Sequence, residues 1–332
     1  MNRFLLACLT AVSAMGVPTR HPLIPSMPMI GLGSAEAPDP QLMAASVATA
    51  CQNGAAFVDT AQNYGSEAAI GEGLRSAGAT DGTAFLLCKV DLATRAFEDP
   101  AVRMRRQVQS TIQNLRVSRV SAAVLHWPIC LDGPCDAAEE AAVRRTAWQA
   151  LEDLVDEGTV GCIGCSNWTP ELLDEVLSYA RIRPSINEIE FSPVCYQREL
   201  LDACTARGVA VVGYSPYGSC WMAKYFARFV PWGLTPLTSD ATVRAIAADI
   251  GCTPAQVLLR WSLQHGVACI PKSLQPQRVA ESVGALDEAL VRLSDEQMAS
   301  LDALNDPRRG THTSIETHRR IIASPTYAWR AT

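Results

Sequence analysis

Four residues, Asp59, Tyr64, Lys89 and His126, have the side chains to carry out proton chemistry on a carbonyl group. A tyrosine hydroxyl ordinarily titrates at about 10. A neighbouring ammonium favours the phenolate and lowers that value. A carboxylate paired with the lysine holds the ammonium in place and charged. A histidine across the site can hydrogen-bond a carbonyl oxygen and orient it. The set reads as a general acid, Tyr64, beside a carbonyl-binding pocket. A carbonyl that receives only a proton from the protein takes its hydride from a cofactor. No metal site is expected, because the chain has 5 histidines and none has a ligand-like partner at helical spacing.

These residues need elements to bring them together. Short, β-rich apolar runs recur at Met29–Gly33, Phe57–Thr60, Phe85–Val90, Ala123–Trp127, Gly161–Ser166, Ile186–Phe191, Val209–Ser215 and Val267–Lys272. Most lack period-2 alternation, which suits strands of a parallel sheet buried on both faces. Helical periodicity fills the gaps: Leu42, Met43, Ser46, Val47, Ala50 and Cys51 repeat at helical spacing until Asn53-Gly54 stops them. Thr169-Pro170 is a helix start, and Thr253–Gln256 and Ser294–Gln297 read as capping boxes. Eight strands alternating with helices over about 250 residues predict an α/β fold, a (β/α)8 TIM barrel in one domain with long mouth loops. The competing open doubly wound sheet calls for a glycine fingerprint after the first strand. Gly31-Leu32-Gly33 continues into Ser34-Ala35-Glu36 with no third glycine, so the barrel is preferred. In a barrel the chemistry sits at the C-terminal strand ends. There the chain offers Ser34, Asp59, Lys89, His126, Ser166-Asn167, Glu188, Tyr214-Ser215 and Lys272-Ser273.

Composition bounds the function. The 332 residues hold 28 Lys plus Arg and 34 Asp plus Glu, a formal charge of −6. That balance leaves no broad basic surface for nucleic acid. Only 19% of residues are charged and 48% are hydrophobic, which argues against disorder. No apolar run reaches the roughly 18 residues of a membrane span. The partner expected is a small-molecule carbonyl substrate, with no nucleic acid, no membrane and an oligomeric state that stays open. The 12 cysteines are scattered. Cys162 and Cys165, three apart on a strand, should face opposite ways. Cys130 and Cys135 bracket a turn, and their pairing is left open.

Asp59-Thr60-Ala61 with Tyr64-Gly65, then Lys89, then Leu125-His126-Trp127-Pro128 resemble the catalytic tetrad of the aldo-keto reductases. Gly164-Cys165-Ser166-Asn167-Trp168, Asn187-Glu188-Ile189-Glu190-Phe191, Tyr214-Ser215-Pro216 and Ile270-Pro271-Lys272-Ser273 with Arg278 extend the resemblance in order, from about Met27 to about Asn305. The resemblance implies an NADPH-dependent oxidoreductase that reduces an aldehyde or ketone to an alcohol, of the alcohol dehydrogenase (NADP+) type. Tyr64 would be the proton donor, tuned by Lys89 and Asp59. His126 would orient the carbonyl and Trp127 wall the pocket. Ser166, Asn167 and Glu188 would hold the nicotinamide carboxamide, with Tyr214 stacked on the ring and Ser215 beside it. Lys272, Ser273 and Arg278 would take the 2′-phosphate of NADPH/NADP+, and Glu281 would lie at the adenine. Two alternatives stay open: a slow or non-catalytic NADPH sensor or regulatory subunit, and the same chemistry run in the alcohol-oxidising direction.

Three residues depart from the family pattern. Glu188 stands where glutamine is usual, Ser282 where asparagine is common, and Ala35 where many reductases carry a pocket tryptophan. Substrate choice falls to loops at Ile129–Ala142, Gly218–Thr238 and the tail after Asp306. The second carries Trp221, Tyr225, Phe226, Phe229 and Trp232, either a lid or a helix packed on the barrel. The domain plan is residues 1–22 as a targeting or disordered segment, 23–306 as the barrel and 307–332 as a tail. The cysteine pattern suits the cytoplasm, while Arg3, Phe4–Leu9 and Val12-Ser13-Ala14 within residues 1–16 resemble a secretory or organellar signal.

Overall fold

The computed structural model describes residues 18–35, 37–79, 82–133, 135–218 and 236–306. Residues 1–16, the aromatic stretch from Trp221 to Trp232 and the tail 307–332 lie outside these.

The chain opens with a hairpin that the sequence does not advertise. Strands β1 (Arg20–His21) and β2 (Ile24–Pro28) pair antiparallel, straddling the boundary expected at residue 22. Met27 and Met29 are fully buried, and with Ile24 and Ile30 they join the cluster that fills the barrel. The hairpin packs on the Phe85 strand and stoppers the N-terminal end.

Eight parallel strands follow: β3 (Leu32–Gly33), β4 (Phe57–Ala61), β5 (Phe85–Val90), β6 (Val120–Leu125), β7 (Val160–Ser166), β8 (Ile186–Glu190), β9 (Ala210–Tyr214) and β10 (Ala268–Cys269). They pair in sequence order, each with the next. The ring closes between its first and last strands, where Gly31 N–H donates to Cys269 O at 2.8 Å and Cys269 N–H to Met29 O at 2.9 Å. This closure explains Gly31 and Gly33. A Cβ on Gly31 would lie 2.5 Å from the Phe57 ring, and one on Gly33 2.9 Å from Ile270 O. Both glycines serve close approach of neighbouring segments.

The strands are almost entirely buried, as their apolar runs predict, yet they sort by parity into two cores. Phe57, Phe85, Leu87, Ala122, Val124, Ile186, Ala210 and Val212 point into the barrel. Val58, Leu86, Cys88, Ala123, Leu125, Ile163, Cys165 and Val211 face the helices. Cys162 packs against the inner set and Cys165 belongs to the outer one, so the two thiols are on opposite faces and both are free.

The helices begin where their caps dictate. The Thr253–Gln256 and Ser294–Gln297 capping boxes form on helices Pro254–Gln264 and Asp295–Asp302. Asp136 caps a helix over Ala137–Asp156, so the mouth loop expected over Ile129–Ala142 ends sooner. Its acidic first turn, Glu139 and Glu140, complements the helix dipole.

Candidate active site

The inward parity of the strands places the site. The next inward position beyond each core residue is Asp59 on β4, Lys89 on β5, His126 just past β6, Ser166 on β7, Glu188 on β8 and Tyr214 on β9. The apolar filling of the barrel gives way to a polar layer at the C-terminal ends of the strands, where barrel enzymes keep their chemistry.

Lys89 is the centre of that layer. Its ammonium pairs with Asp59 and lies 3.3 Å from Glu188 Oε1, and the three side chains are almost wholly buried. The Asp59 and Glu188 carboxyls also come within hydrogen-bonding reach of each other. Burial alone would push the lysine down, but the charges of Asp59 and then Glu188 hold it above its ordinary value. Burial, then the charge of Asp59, pushes Glu188 up to about 8, with Lys89 opposing. One ammonium between two carboxyls is neutral when one carboxyl keeps its proton. Glu188 Oε2 has no donor among the described residues, and a proton on Glu188 lets the pair share it. Burial and the Asp59 charge thus favour the protonated form of Glu188.

Ionising Glu188 has a consequence for stability. A carboxyl held above its ordinary 4.5 gives its full contribution below that pH and loses it as pH rises through about 8. Glu188→Gln keeps the shape and an N–H donor but cannot ionise. We expect this variant to match the parent in Tm near pH 5 and to exceed it by roughly 3–6 °C at pH 8.5. Thermal unfolding followed across pH checks this, and an unchanged gap between the two proteins would refute the assignment.

Tyr64 arrives by a different route. After β4 the chain makes one 3₁₀ turn, Gln62–Tyr64, closed by Gly65 in the left-handed conformation (φ 64°). This carries the phenol over the Lys89 ammonium, 5.0 Å from the ring centroid. The lowering of its pKa expected from the lysine does not result. Burial raises the hydroxyl, and the Asp59 and Glu188 charges add to that; Lys89 opposes but loses. Tyr64 is thus held as a neutral phenol, with a cation at hand for the charge left when its proton departs.

His126 lies edge-on to Tyr64, with ring centroids 6.0 Å apart. Its backbone N–H still donates to Val90 O at 2.9 Å, although the strand has ended at Leu125. Its Nδ1 lies 2.9 Å from Asp91 Oδ1. Asp91 also accepts from Asn63 Nδ2 at 3.1 Å, and its backbone is pinned by Gln107 and Arg103. Sequence reading passed over Asp91, although Leu87, Lys89 and Asp91 share one parity. Trp127, expected in the pocket wall, is 7% exposed.

Ser166 and Glu188 are register partners on β7 and β8. Ser166 Oγ donates to Glu188 O at 2.8 Å, Asn167 Nδ2 to His126 O at 3.0 Å, and Tyr214 OH to Asn167 Oδ1 at 2.8 Å. Asn167 (φ 63°) and Ser215 (φ 52°) both occupy the left-handed region. Such strain persists only where the surroundings over-determine it, typically in binding sites.

Lys272, Ser273, Arg278 and Glu281 form a separate group. Lys272 bridges to Gly33 across the barrel closure and is exposed, as is Arg278. The loop runs into a helix over Pro276–Val283 whose N-cap, Gln275, makes no side-chain capping bond. Glu281 accepts from Thr253 Oγ1 at 2.6 Å, which ties this helix to its neighbour. Among the described residues no three His, Cys, Asp or Glu are grouped to hold a metal, and no helix is long and apolar enough to cross a membrane.

An eight-stranded parallel barrel with a Tyr–Lys–Asp–His mouth defines a class of oxidoreductase, and residues 29–306 match the model of the Aldo/keto reductase family. The chain belongs to that family. It is 35% identical over 296 residues to aldo-keto reductase family 1 member A1 of Rattus norvegicus, covering 84% of this chain and 86% of the relative, and 33% identical over 297 residues to its human counterpart. Among solved structures it resembles a Bombyx mori aldo-keto reductase in complex with NADP, at TM-score 0.74 and 26% identity over 88% of this chain and 94% of that one. It likewise resembles the aldose reductase of Schistosoma japonicum, at TM-score 0.71 and 28% identity over 87% and 93%.

Proposed function

We propose that this aldo-keto reductase reduces an aldehyde or ketone with NADPH and that Tyr64 delivers the proton. The observation that carries the reading is the neutral Tyr64 phenol over the Lys89 ammonium, itself clamped by Asp59 and Glu188. NADPH supplies the hydride when bound. Ser166, Asn167 and Glu188 are placed to take its carboxamide. Glu188 Oε2 is buried with no hydrogen-bond partner among the described residues, which fits a polar group of the cofactor there. Tyr214 walls that position, and Ser215 beside it holds the strained turn. At the other end, Lys272, Ser273 and Arg278 at an uncapped helix N-terminus suit a phosphate dianion. Glu281 lies on the same helix and would meet the adenine.

The protein's own steps are then short. His126 holds the carbonyl oxygen within reach of Tyr64. Tyr64 gives its proton as charge builds on that oxygen, and the Lys89 ammonium stabilises the phenolate left behind. Burial keeps water from competing for the proton.

The test is oxidation of NADPH and NADH with a panel of aromatic and aliphatic aldehydes. Turnover with NADPH is expected. Lys272→Ala and Arg278→Ala should each weaken NADPH by about tenfold, the weight of one charge-assisted contact, and leave NADH binding nearly unchanged. Equal losses for the two cofactors would remove the phosphate from the scheme.

A further inference from the structure

His126 has one nitrogen already spoken for. A carboxylate can only accept a hydrogen bond, so an ionised Asp91 Oδ1 at 2.9 Å requires the proton on Nδ1. In a neutral imidazole the other nitrogen, Nε2, is then a bare acceptor. Two lone pairs, one on Nε2 and one on a carbonyl oxygen, repel. We infer that Asp91 is a positioning residue that commits His126 to donate from Nδ1, so that only the imidazolium form, with a second proton on Nε2, holds a substrate carbonyl. This rests on the carbonyl-reduction reading and adds to it the charge state in which the site works.

The surroundings hold that pairing in place. Asp91 comes from the end of β5, and its second oxygen is occupied by Asn63 Nδ2, so the carboxylate has little freedom to turn away. Asp59 on β4 also attracts His126. Tyr64, from the turn after β4, meets the ring edge-on. The Lys89 ammonium on β5 has its charge met by Asp59 and by Glu188 on β8. From β7 the nearest polar group, Asn167, is uncharged and engages the His126 carbonyl. Arg103, on the helix over Pro100–Leu115, donates to the backbone oxygen of Asp91 at 2.7 Å and meets Glu98 at 3.4 Å.

The consequence is directional. Carbonyl reduction should fall tenfold per pH unit above the His126 titration. Tyr64, held up by burial, does not titrate in this range. Glu188 does, so the profile is measured in the Glu188→Gln background.

Full-length protein labelled with ¹⁵N-histidine gives one ring pattern for each of the 5 histidines. His126→Gln assigns the signal. The expected result is an Nδ1–H ring at alkaline pH that becomes imidazolium as pH falls, with the alkaline limb of kcat/KM for reduction at the same midpoint. Asp91→Asn, of the same size but uncharged, should lower both midpoints together by about one pH unit. An Nε2–H ring at alkaline pH in the parent overturns the inference. So does an Asp91→Asn variant that loses kcat with both midpoints unmoved, since that is what a merely structural role would give. The ring pattern needs no turnover: an Nδ1–H ring in a protein that reduces no carbonyl supports the Asp91 assignment and sinks the carbonyl-reduction reading alone.

Discussion

Tyr64→Phe is expected to lower carbonyl turnover by about 10³-fold, within the range for loss of a positioned general acid, and to leave NADPH affinity nearly intact. The phenol combines a retained proton with a neighbouring cation. Its proton is secured by burial and by two carboxyls, and its conjugate base is secured by Lys89 at 5.0 Å from the ring. Phenylalanine fills the same space over the ammonium and beside the His126 ring, so packing is spared. The hydroxyl makes no contact with Ser166, Asn167 or the Lys272–Arg278 loop, which is why cofactor binding should survive. Rapid-mixing kinetics with NADPH and an aromatic aldehyde measure the loss, and cofactor fluorescence measures the affinity. Turnover within tenfold of the parent would mean that another group delivers the proton.

How far the sequence discloses this site can be traced residue by residue. The eight strands are legible because each is a short apolar run between helix signals, and Asp59, Lys89 and Glu188 are legible because a charged residue ends such a run. Edges shift where hydrogen bonding outlasts apolarity or falls short of it. The strand expected at Ala123–Trp127 is Val120–Leu125, and those at Met29–Gly33 and Val267–Lys272 shrink to Leu32–Gly33 and Ala268–Cys269. The hairpin over Arg20–Pro28 is hidden because its proline-rich sequence carries no alternation, and it folds by plugging a cavity that the rest of the chain builds. Asp91 is hidden because its partner, His126, is 35 residues away. The acidity of Tyr64 runs opposite to the sequence expectation for a similar reason. A neighbouring lysine can be read from a string of residues, but the burial that outweighs it cannot. The protonated state of Glu188 belongs to the same class, since it follows from two carboxyls sharing one ammonium.

Lys89→Met removes that ammonium, and its effects separate the structural from the chemical role of the layer. The ion pair with Asp59 is buried on both sides, at 1% and 4% side-chain exposure. Taking away one partner of such a pair costs about 3–5 kcal/mol, because the other charge is left without compensation. Methionine fills most of the space, so little of that loss is cavity. Asp59 then faces Glu188 with no ammonium between them, and the carboxyl pair can relieve its charge by holding protons more tightly. The destabilisation should accordingly shrink below pH 5 and grow towards pH 8, whereas a packing defect would cost the same at every pH. Catalysis is lost in addition, because no cation remains beneath Tyr64 to receive the charge it leaves. The double variant Lys89→Met, Asp59→Asn removes the stranded carboxylate and should recover most of the stability, with a coupling that a double-mutant cycle reads directly. It should recover none of the turnover. Denaturant unfolding and single-turnover reduction on the parent, the two single variants and the double variant test both halves. Stability and activity returning together would show that Lys89 serves Tyr64 only by holding the fold; stability returning alone is the result expected if its charge acts on the phenol.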